Sequence, residues 1–157
     1  MHKSMHNIFN RKIFDITFNK DFYQVITTCK NIYRKDQQGT WISDEIVEAY
    51  TKLHEMGLAR SVEVWQNKKL VGGLYGVDIG NGIFCGESMF SKVSNASKVA
   101  FYTLLQDLKE KDYLLLDCQV YNEHLESLGA YEIPRSEYMK YLLEGNIRLR
   151  IKKMKAS

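Results

Sequence analysis

Residues 61–90, SVEVWQNKKLVGGLYGVDIGNGIFCGESMF, decide the fold. They contain three strand-like runs, SVEVWQ, LVGGLYGV and IFCGESMF, separated by the short turn-forming segments NKK and DIGNG. Because short turns join antiparallel neighbours, this stretch predicts a three-stranded antiparallel meander. Its glycines are unusual inside strands and indicate either bulges or places where a ligand approaches the backbone. VGGLYG has neither the GxGxxG spacing nor a following helix, so it does not predict a dinucleotide-binding loop.

The segments on either side of the meander predict further strands and helices. Before it, residues 14–18 alternate as a strand, and residues 22–33 and 40–57 carry apolar side chains at helical spacing. Ser43 is placed to cap the second of these helices, and Gly57 is placed to end it.

The segments after the meander alternate between helices and strands. Helices are predicted over 94–112, 122–129 and 136–145, and strands over 114–120, LLLDCQV, and 131–134, YEIP. This order of elements predicts an α+β domain with one mixed, mostly antiparallel sheet flanked by helices.

The composition is that of an ordinary globular domain. The chain has 157 residues, of which 45% are hydrophobic and 26% are charged, and this length buries a sizeable core without disulfides. No apolar run approaches the roughly 18 residues that a membrane span needs, and the N-terminus lacks the apolar stretch of a secretory signal. Three cysteines without CxxC spacing predict reduced thiols, and no cluster has metal-ligand spacing. We therefore expect a cytoplasmic protein with no membrane contact and no metal.

Two polar residues within LLLDCQV are the first candidates for chemistry. Strand alternation puts Asp117 and Gln119 side by side on one face. A buried carboxylate or amide without partners costs free energy, so the pair needs an explanation. From these residues alone, a structural hydrogen-bond network and a reactive pair are equally good interpretations.

Glu87 poses the same question one strand away. In IFCGESMF, alternation groups Glu87 with Ile83, Cys85 and Met89, so a carboxylate shares an apolar face unless a bulge intervenes. A lysine or arginine partner would make Glu87 a structural residue. The competing hypothesis is a site formed by Glu87 on one strand and the Asp/Gln pair on another.

The charge distribution and a lone tryptophan leave alternatives open. The net charge of +3 is too small to predict a nucleic-acid binder. Basic residues gather at the start, as Lys3, Arg11 and Lys12, and in a tail over residues 144–157. From charge alone these are two solvated ends. Trp41, beside a helix start, fits either a stacking platform or core packing.

Nine strings in this sequence occur in the same order in one known family. They are GTWI, EAYTKLHEMG, SVEVW, LVGGLYGV, FCGESMFS, NASK, DCQV, SLGAYEIPR and YL. With them the chain closely resembles the leucyl/phenylalanyl-tRNA-protein transferases of bacteria, from about residue 3 to residue 142. The resemblance implies a GNAT-like acyltransferase fold for a catalytic domain over residues 1–143, followed by the basic tail over 144–157.

The resemblance also implies a reaction. Members of the family transfer leucine or phenylalanine, and sometimes methionine, from aminoacyl-tRNA to the α-amino group of a protein that begins with arginine or lysine. The transfer marks that protein for degradation by the N-end rule. The implied partners are aminoacyl-tRNA and an acceptor protein, and the ester is already activated, so neither ATP nor a cofactor is expected.

Individual residues take implied roles from the same resemblance. The family's catalytic aspartate and glutamine match Asp117 and Gln119, and its active-site glutamate matches Glu87. In the implied mechanism Gln119 accepts a hydrogen bond from the attacking amine, and Asp117 holds the side-chain amide of Gln119. Glu87 orients the amine or the cationic side chain of the acceptor.

The implied binding residues fall into three sets. The pocket for the leucine or phenylalanine side chain maps to Leu74, Phe84, Phe101 and Leu104. Trp41 matches a tryptophan near the terminal adenosine of the tRNA. The basic residues expected to contact tRNA are Lys3, Arg11 and Lys12.

The family's N-terminal GGDLS-like and GIFPW-like segments have no match here, so we expect a short form of the transferase.

Two other functions remain as alternatives to the transferase. A CoA-dependent N-acyltransferase of the same fold would carry a glycine-rich loop before the helix that receives the pyrophosphate, and FSKVSNASK has no such glycines. A non-catalytic tRNA-binding relative is the other reading, and the retained Glu87, Asp117 and Gln119 argue against it.

Overall fold

The structure is a computed structural model that describes residues 13–32 and 40–143, which form one five-stranded sheet with helices on both faces. The strands are β1 (Asp15–Phe18), β2 (Ala59–Gln66), β3 (Lys69–Gly80), β4 (Ile83–Ser91) and β5 (Leu115–Asp117). The helices are α1 (Phe22–Asn31), α2 (Asp44–Glu55), α3 (Ala96–Glu110), α4 (Glu123–Ser127) and α5, over residues 135–143.

The sheet is mixed, as the sequence predicts. Its order is β1-β2-β3-β4-β5, and the first four strands pair antiparallel. β5 lies parallel to β4. Because a parallel neighbour requires a crossover, α3 connects β4 to β5 across one face of the sheet. The predicted meander and the predicted α+β class are confirmed.

Each face of the sheet buries its own apolar core. Successive side chains of a strand point to opposite faces, so Leu74 packs with α3 while Tyr75 packs with α1 and α2. The α3 core also holds Leu125 of α4, and Val47 of α2 belongs to the other core. Among the described helices, none is long and apolar enough to cross a bilayer.

The start of α3 is seated tightly on the sheet. A Cβ added to Gly72 would lie 2.5 Å from the Cβ of Ala96, so only glycine permits this approach of helix to strand. Ser91 Oγ accepts a hydrogen bond from Ser97 N at 3.2 Å and donates to Val93 O at 2.8 Å. The first turn of α3 is therefore tied to the end of β4.

Most local predictions hold, and two strands differ. Ser43 caps α2 by accepting from Ile46 N at 3.3 Å, and Gly57 follows the helix with a φ of 78°. The predicted strand over 114–120 contracts to β5, and the predicted strand over 131–134 is irregular. Since the chain turns away after β5, residues 131–134 meet no strand with which to pair.

Candidate active site

β4 and β5 separate after a short stretch of pairing and open a cleft at the edge of the sheet. The last pair is Cys85 with Asp117, and β4 continues beyond it. The cleft has a volume of about 820 Å³. Its lining includes Trp41, Glu87 and Gln119, so the separation of the strands brings together three residues that the sequence singled out.

Glu87 is the extra residue of a β-bulge in β4. Gly86 and Ser88 pair with the adjacent residues Gly76 and Tyr75 of β3, so Glu87 itself has no opposite residue. A bulge shifts the alternation along its strand by one position. The grouping of Glu87 with an apolar face, which regular alternation predicts, therefore does not apply, and Glu87 borders the cleft.

Tyr50 of α2 is the neighbour that orients Glu87. Burial of the phenol, then the negative charge of Glu87 and a hydrogen bond with it, raise the pKa of Tyr50 to about 12. The hydroxyl is therefore protonated at neutral pH and acts as a donor. A neutral donor orients the carboxylate without cancelling its charge.

Asp117 and Gln119 form a turn in place of a continued strand. Gln119 has a φ of 65°, and its backbone N–H donates to Asp117 Oδ1 at 2.7 Å. The alternation that places both side chains on one face is therefore wrong beyond Asp117. Asp117 holds Gln119 through the backbone, whereas the family resemblance implies a contact to the side-chain amide.

Asp117 has two further neighbours at the end of β5. Cys85 Sγ lies 4.0 Å from Asp117 Oδ2, and burial followed by the charge of Asp117 raises the pKa of Cys85 to about 11. Burial, then the charge of Asp117 and a hydrogen bond with it, raise the pKa of Tyr138 to about 12. Both groups are protonated at neutral pH, so they act as donors to Asp117 and not as nucleophiles.

Three of the four residues expected in the side-chain pocket line the cleft. Leu74, Phe101 and Leu104 contribute an apolar surface there. Phe84 is fully buried in the α3 core and does not line the cleft; the Arg60 guanidinium lies 4.9 Å from its ring. Trp41 borders the cleft with 50% of its surface exposed, which favours the stacking platform over core packing.

Tyr50 and Tyr138 are site residues that the sequence did not reveal. Each is an aromatic position on a helix far along the chain from the carboxylate it contacts, and no local pattern distinguishes it from a core tyrosine. The expected tRNA contacts Lys3, Arg11 and Lys12 lie outside the described residues. Within residues 13–32 and 40–143, no three His, Cys, Asp or Glu side chains are grouped to hold a metal ion.

Solved structures with the same architecture are N-acetyltransferases. An aminoglycoside acetyltransferase from an uncultured soil metagenomic sample, in complex with trehalose, has a TM-score of 0.60 and 15% identity, covering 78% of this chain and 92% of that one. An N-acetyltransferase from Thermoplasma acidophilum in complex with coenzyme A has a TM-score of 0.55 and 13% identity, covering 76% and 91%. At these identities the likeness concerns the fold, and it defines a protein of the GNAT acyltransferase fold.

Sequence relatives identify the family within that fold. A leucyl/phenylalanyl-tRNA--protein transferase from Flavobacterium johnsoniae is 62% identical over 140 residues, covering 89% of this chain and 66% of the relative. Another, from Flavobacterium psychrophilum, is 60% identical over 139 residues, covering 88% and 65%. The family profile described as Leucyl/phenylalanyl-tRNA protein transferase matches residues 1–143. The chain belongs to this family, and it spans about two thirds of the length of these curated relatives.

Proposed function

We propose that this protein is an aminoacyltransferase that moves leucine or phenylalanine, with methionine as a further donor residue, from aminoacyl-tRNA to the α-amino group of a protein beginning with arginine or lysine. The observation that carries the proposal is that Glu87 and Gln119 line one cleft where β4 and β5 separate, with Asp117 bonded to the backbone of Gln119. The names of the relatives that are 60% and 62% identical support transfer from leucyl- or phenylalanyl-tRNA to protein.

The cleft is the proposed site of the donor. Leu74, Phe101 and Leu104 offer an apolar surface for a leucine or phenylalanine side chain, whose burial is worth about 1.5–3 kcal/mol. The half-exposed indole of Trp41 offers a stacking surface for the terminal adenine, a contact worth roughly 1–3 kcal/mol. Together these contacts would hold the ester carbonyl next to Gln119.

The proposed chemistry is attack of an amine on an activated ester. The amide C–N bond forms, the bond from the carbonyl carbon to the ribose oxygen breaks, and the proton lost by the amine ends on that oxygen. Because an α-amino group has a pKa of about 7.7–8, part of it is neutral near pH 7 and no strong base is required. Positioning and electrostatics then supply the rate enhancement.

Each of the three site residues has a separate task in this scheme. The side-chain oxygen of Gln119 accepts a hydrogen bond from the attacking amine. Asp117 fixes the turn that presents Gln119, through the bond of 2.7 Å to its backbone N–H. Glu87, oriented by Tyr50, attracts and orients the cationic ammonium group before it loses its proton.

Transfer of labelled leucine tests the proposal directly. The protein is incubated with leucyl-tRNA and a peptide beginning with arginine, with the α-N-acetylated peptide as control and acetyl-CoA as an alternative donor. We expect labelled leucine to appear in the free peptide but not in the acetylated peptide. We also expect no acetyl transfer from acetyl-CoA. Salt-sensitive tRNA binding without transfer would identify a non-catalytic relative, and acetyl transfer would identify a CoA enzyme; either result refutes the proposal.

The proposed reaction also assigns a cellular setting. Its products begin with leucine or phenylalanine and enter degradation by the N-end rule, and aminoacyl-tRNA meets such acceptors in the cytoplasm. Lys3, Arg11 and Lys12 are the proposed contacts to tRNA phosphates. Replacing the three with glutamine should weaken tRNA binding and flatten its salt dependence, because fewer counterions are released.

A further inference from the structure

A second cavity adjoins the donor cleft along the segment that follows β5. It has a volume of about 570 Å³ and is enclosed by residues 114–122, α4, the following loop and α5. Both cavities are lined by residues of that segment, Gln119 and Tyr121 among them, whereas Asp117, Glu126 and Glu132 line only the second one. We call it the tyrosine groove, after its aromatic lining residues Tyr121, Tyr131, Tyr138 and Tyr141.

The charged lining of the tyrosine groove is mainly acidic. Asp117, Glu126 and Glu132 line it, and Arg135 is the single cation among its described lining residues. The Tyr121 hydroxyl donates to Glu126 Oε2 at 2.9 Å. This hydrogen bond, then burial, then the charge of Glu132 raise the pKa of Tyr121. Glu126 and Glu132 therefore lie close enough to act on the same hydroxyl.

The groove also exposes an unusual amount of apolar surface. Val120 is 75% exposed, Tyr121 is 52% exposed and Tyr131 is 79% exposed. Aromatic faces next to carboxylates form a surface suited to a cation with an aliphatic stem, since the stem packs on the rings and the charge meets both π-electrons and carboxylates.

We propose that the tyrosine groove binds the first residue of the acceptor, with its arginine or lysine side chain held by Glu126 and Glu132. This inference rests on the proposed aminoacyl transfer. An acceptor with a free N-terminus and a basic first residue carries two positive charges, which matches an acidic groove. The cleft offers the apolar surface of Leu74, Phe101 and Leu104 for the donor side chain, so the donor occupies the cleft and the acceptor occupies the groove. Gln119, which borders both, receives the amine from one side and the ester from the other.

Peptide binding tests the groove without requiring transfer. Fluorescence anisotropy of the full chain compares a labelled peptide beginning with arginine with the same peptide beginning with citrulline, which keeps the shape but lacks the charge. We expect the arginine peptide to bind about tenfold more tightly, since two exposed ion pairs contribute roughly a few-fold each. Equal affinities, or binding of neither peptide, would overturn the proposal.

Two variants assign the preference to the groove. A double variant carrying Glu126→Gln and Glu132→Gln should bind the arginine and citrulline peptides alike. Glu123→Gln is the matched control, because it removes a carboxylate from an exposed position of the same helix that does not line the groove. It should keep the full preference for arginine. A double variant that also keeps this preference would contradict the assignment.

Transfer kinetics then separate a failure of the groove from a failure of the reaction. In the double variant we expect KM for the arginine peptide to rise about tenfold, with kcat and the KM for leucyl-tRNA near their wild-type values. A wild-type protein that prefers arginine over citrulline in binding but transfers no leucine would refute the reaction and support the groove. Transfer by wild type with an unchanged arginine preference in the double variant would refute the groove and leave the reaction standing.

Discussion

Glu63 on β2 and Asp117 on β5 are carboxylates in strands of the same sheet, but their surroundings are opposite. Glu63 is 0% exposed and accepts hydrogen bonds from Ser61 Oγ at 2.5 Å, Thr17 Oγ1 at 2.6 Å and Lys20 N at 3.3 Å. Asp117 is half-buried at the edge of the sheet, and it borders the tyrosine groove.

The difference separates a structural carboxylate from one available for chemistry. The donors to Glu63 come from β1, from β2 and from the turn that leads to α1, so the carboxylate fastens the edge strand β1 to the sheet. The backbone bond to Asp117 comes from two residues along its own chain. Asp117 therefore shapes a local turn and directs its charge towards a cavity. A buried carboxylate whose oxygens all accept hydrogen bonds stabilises a fold, whereas a half-buried carboxylate at a strand end is a candidate for function.

The largest expected effect concerns activity at the half-buried acid and its partner. Asp117→Ala and Gln119→Ala should each lower kcat for leucine transfer by about 10²–10³-fold, the usual loss when a preorganised polar group is removed. The free energy of unfolding, measured in urea, should change by less than about 1 kcal/mol because neither side chain is deeply buried. Transfer at the wild-type rate by either variant would contradict the assignment.

Asp117→Asn sharpens this test. The amide oxygen still accepts from the Gln119 N–H, so the turn persists while the negative charge is lost. A loss of kcat as large as in Asp117→Ala would show that the charge matters, and recovery of most activity would show that Asp117 acts through the turn alone.

The next largest effect concerns stability at the buried acid. Glu63→Ala should lower the free energy of unfolding by about 3 kcal/mol, since it leaves a cavity and deprives three donors of their acceptor. Glu63→Gln is the milder control at roughly 1–2 kcal/mol, because one carbonyl oxygen remains. Urea denaturation measures both. If kcat fell in samples that remain folded, Glu63 would belong to the site and the contrast with Asp117 would fail.

Two glycines extend the comparison from carboxylates to packing. Gly72→Ala should cost about 1–3 kcal/mol, because the new Cβ would lie 2.5 Å from Ala96 Cβ. Gly86→Ala, where the nearest atom to a Cβ is 3.6 Å away, should cost less than about 1 kcal/mol. Thermal unfolding of the two variants side by side checks the prediction, and a reversed order would show that the strands are not held apart at the cleft.

The smallest effect is absent at neutral pH. The pKa values of Tyr50 and Tyr138 are raised to about 12, whereas an unfolded tyrosine titrates near 10. Between these values the unfolded chain has lost protons that the native protein keeps, so stability is fully present below pH 10 and falls towards pH 12. The free energy of unfolding against pH should fall less steeply in Tyr50→Phe. Identical slopes in this variant and wild type would contradict the shift.

Local patterns were sufficient to predict the meander and the helices. Alternation, turn residues and caps act within a few residues, so the three strands of the meander and the Ser43 cap follow from neighbours in sequence. The site did not follow in the same way. The left-handed backbone of Gln119 and the bulge at Glu87 depend on how β4 and β5 pair in the folded sheet. Tyr138 contacts Asp117 from a separate helix.

Glu63 shows the limit of pattern reasoning most directly. In SVEVW, valines alternate with Ser61, Glu63 and Trp65, a pattern typical of a strand with one solvent-exposed face. In the structure helices pack on that face and β1 pairs alongside β2, so Glu63 is more buried than Asp117 or Glu87. Only the tertiary neighbours distinguish them.

The bulge at Glu87 has a consequence for how this domain can evolve. Gly86 and Ser88 already pair with adjacent residues of β3, so deleting Glu87 would remove this bulge and leave the other pairs of the ladder unchanged. Loss of one codon would therefore remove the proposed site carboxylate and preserve the meander, and insertion of one codon would restore it. In this domain the strand pairing and the proposed site carboxylate can therefore be inherited separately.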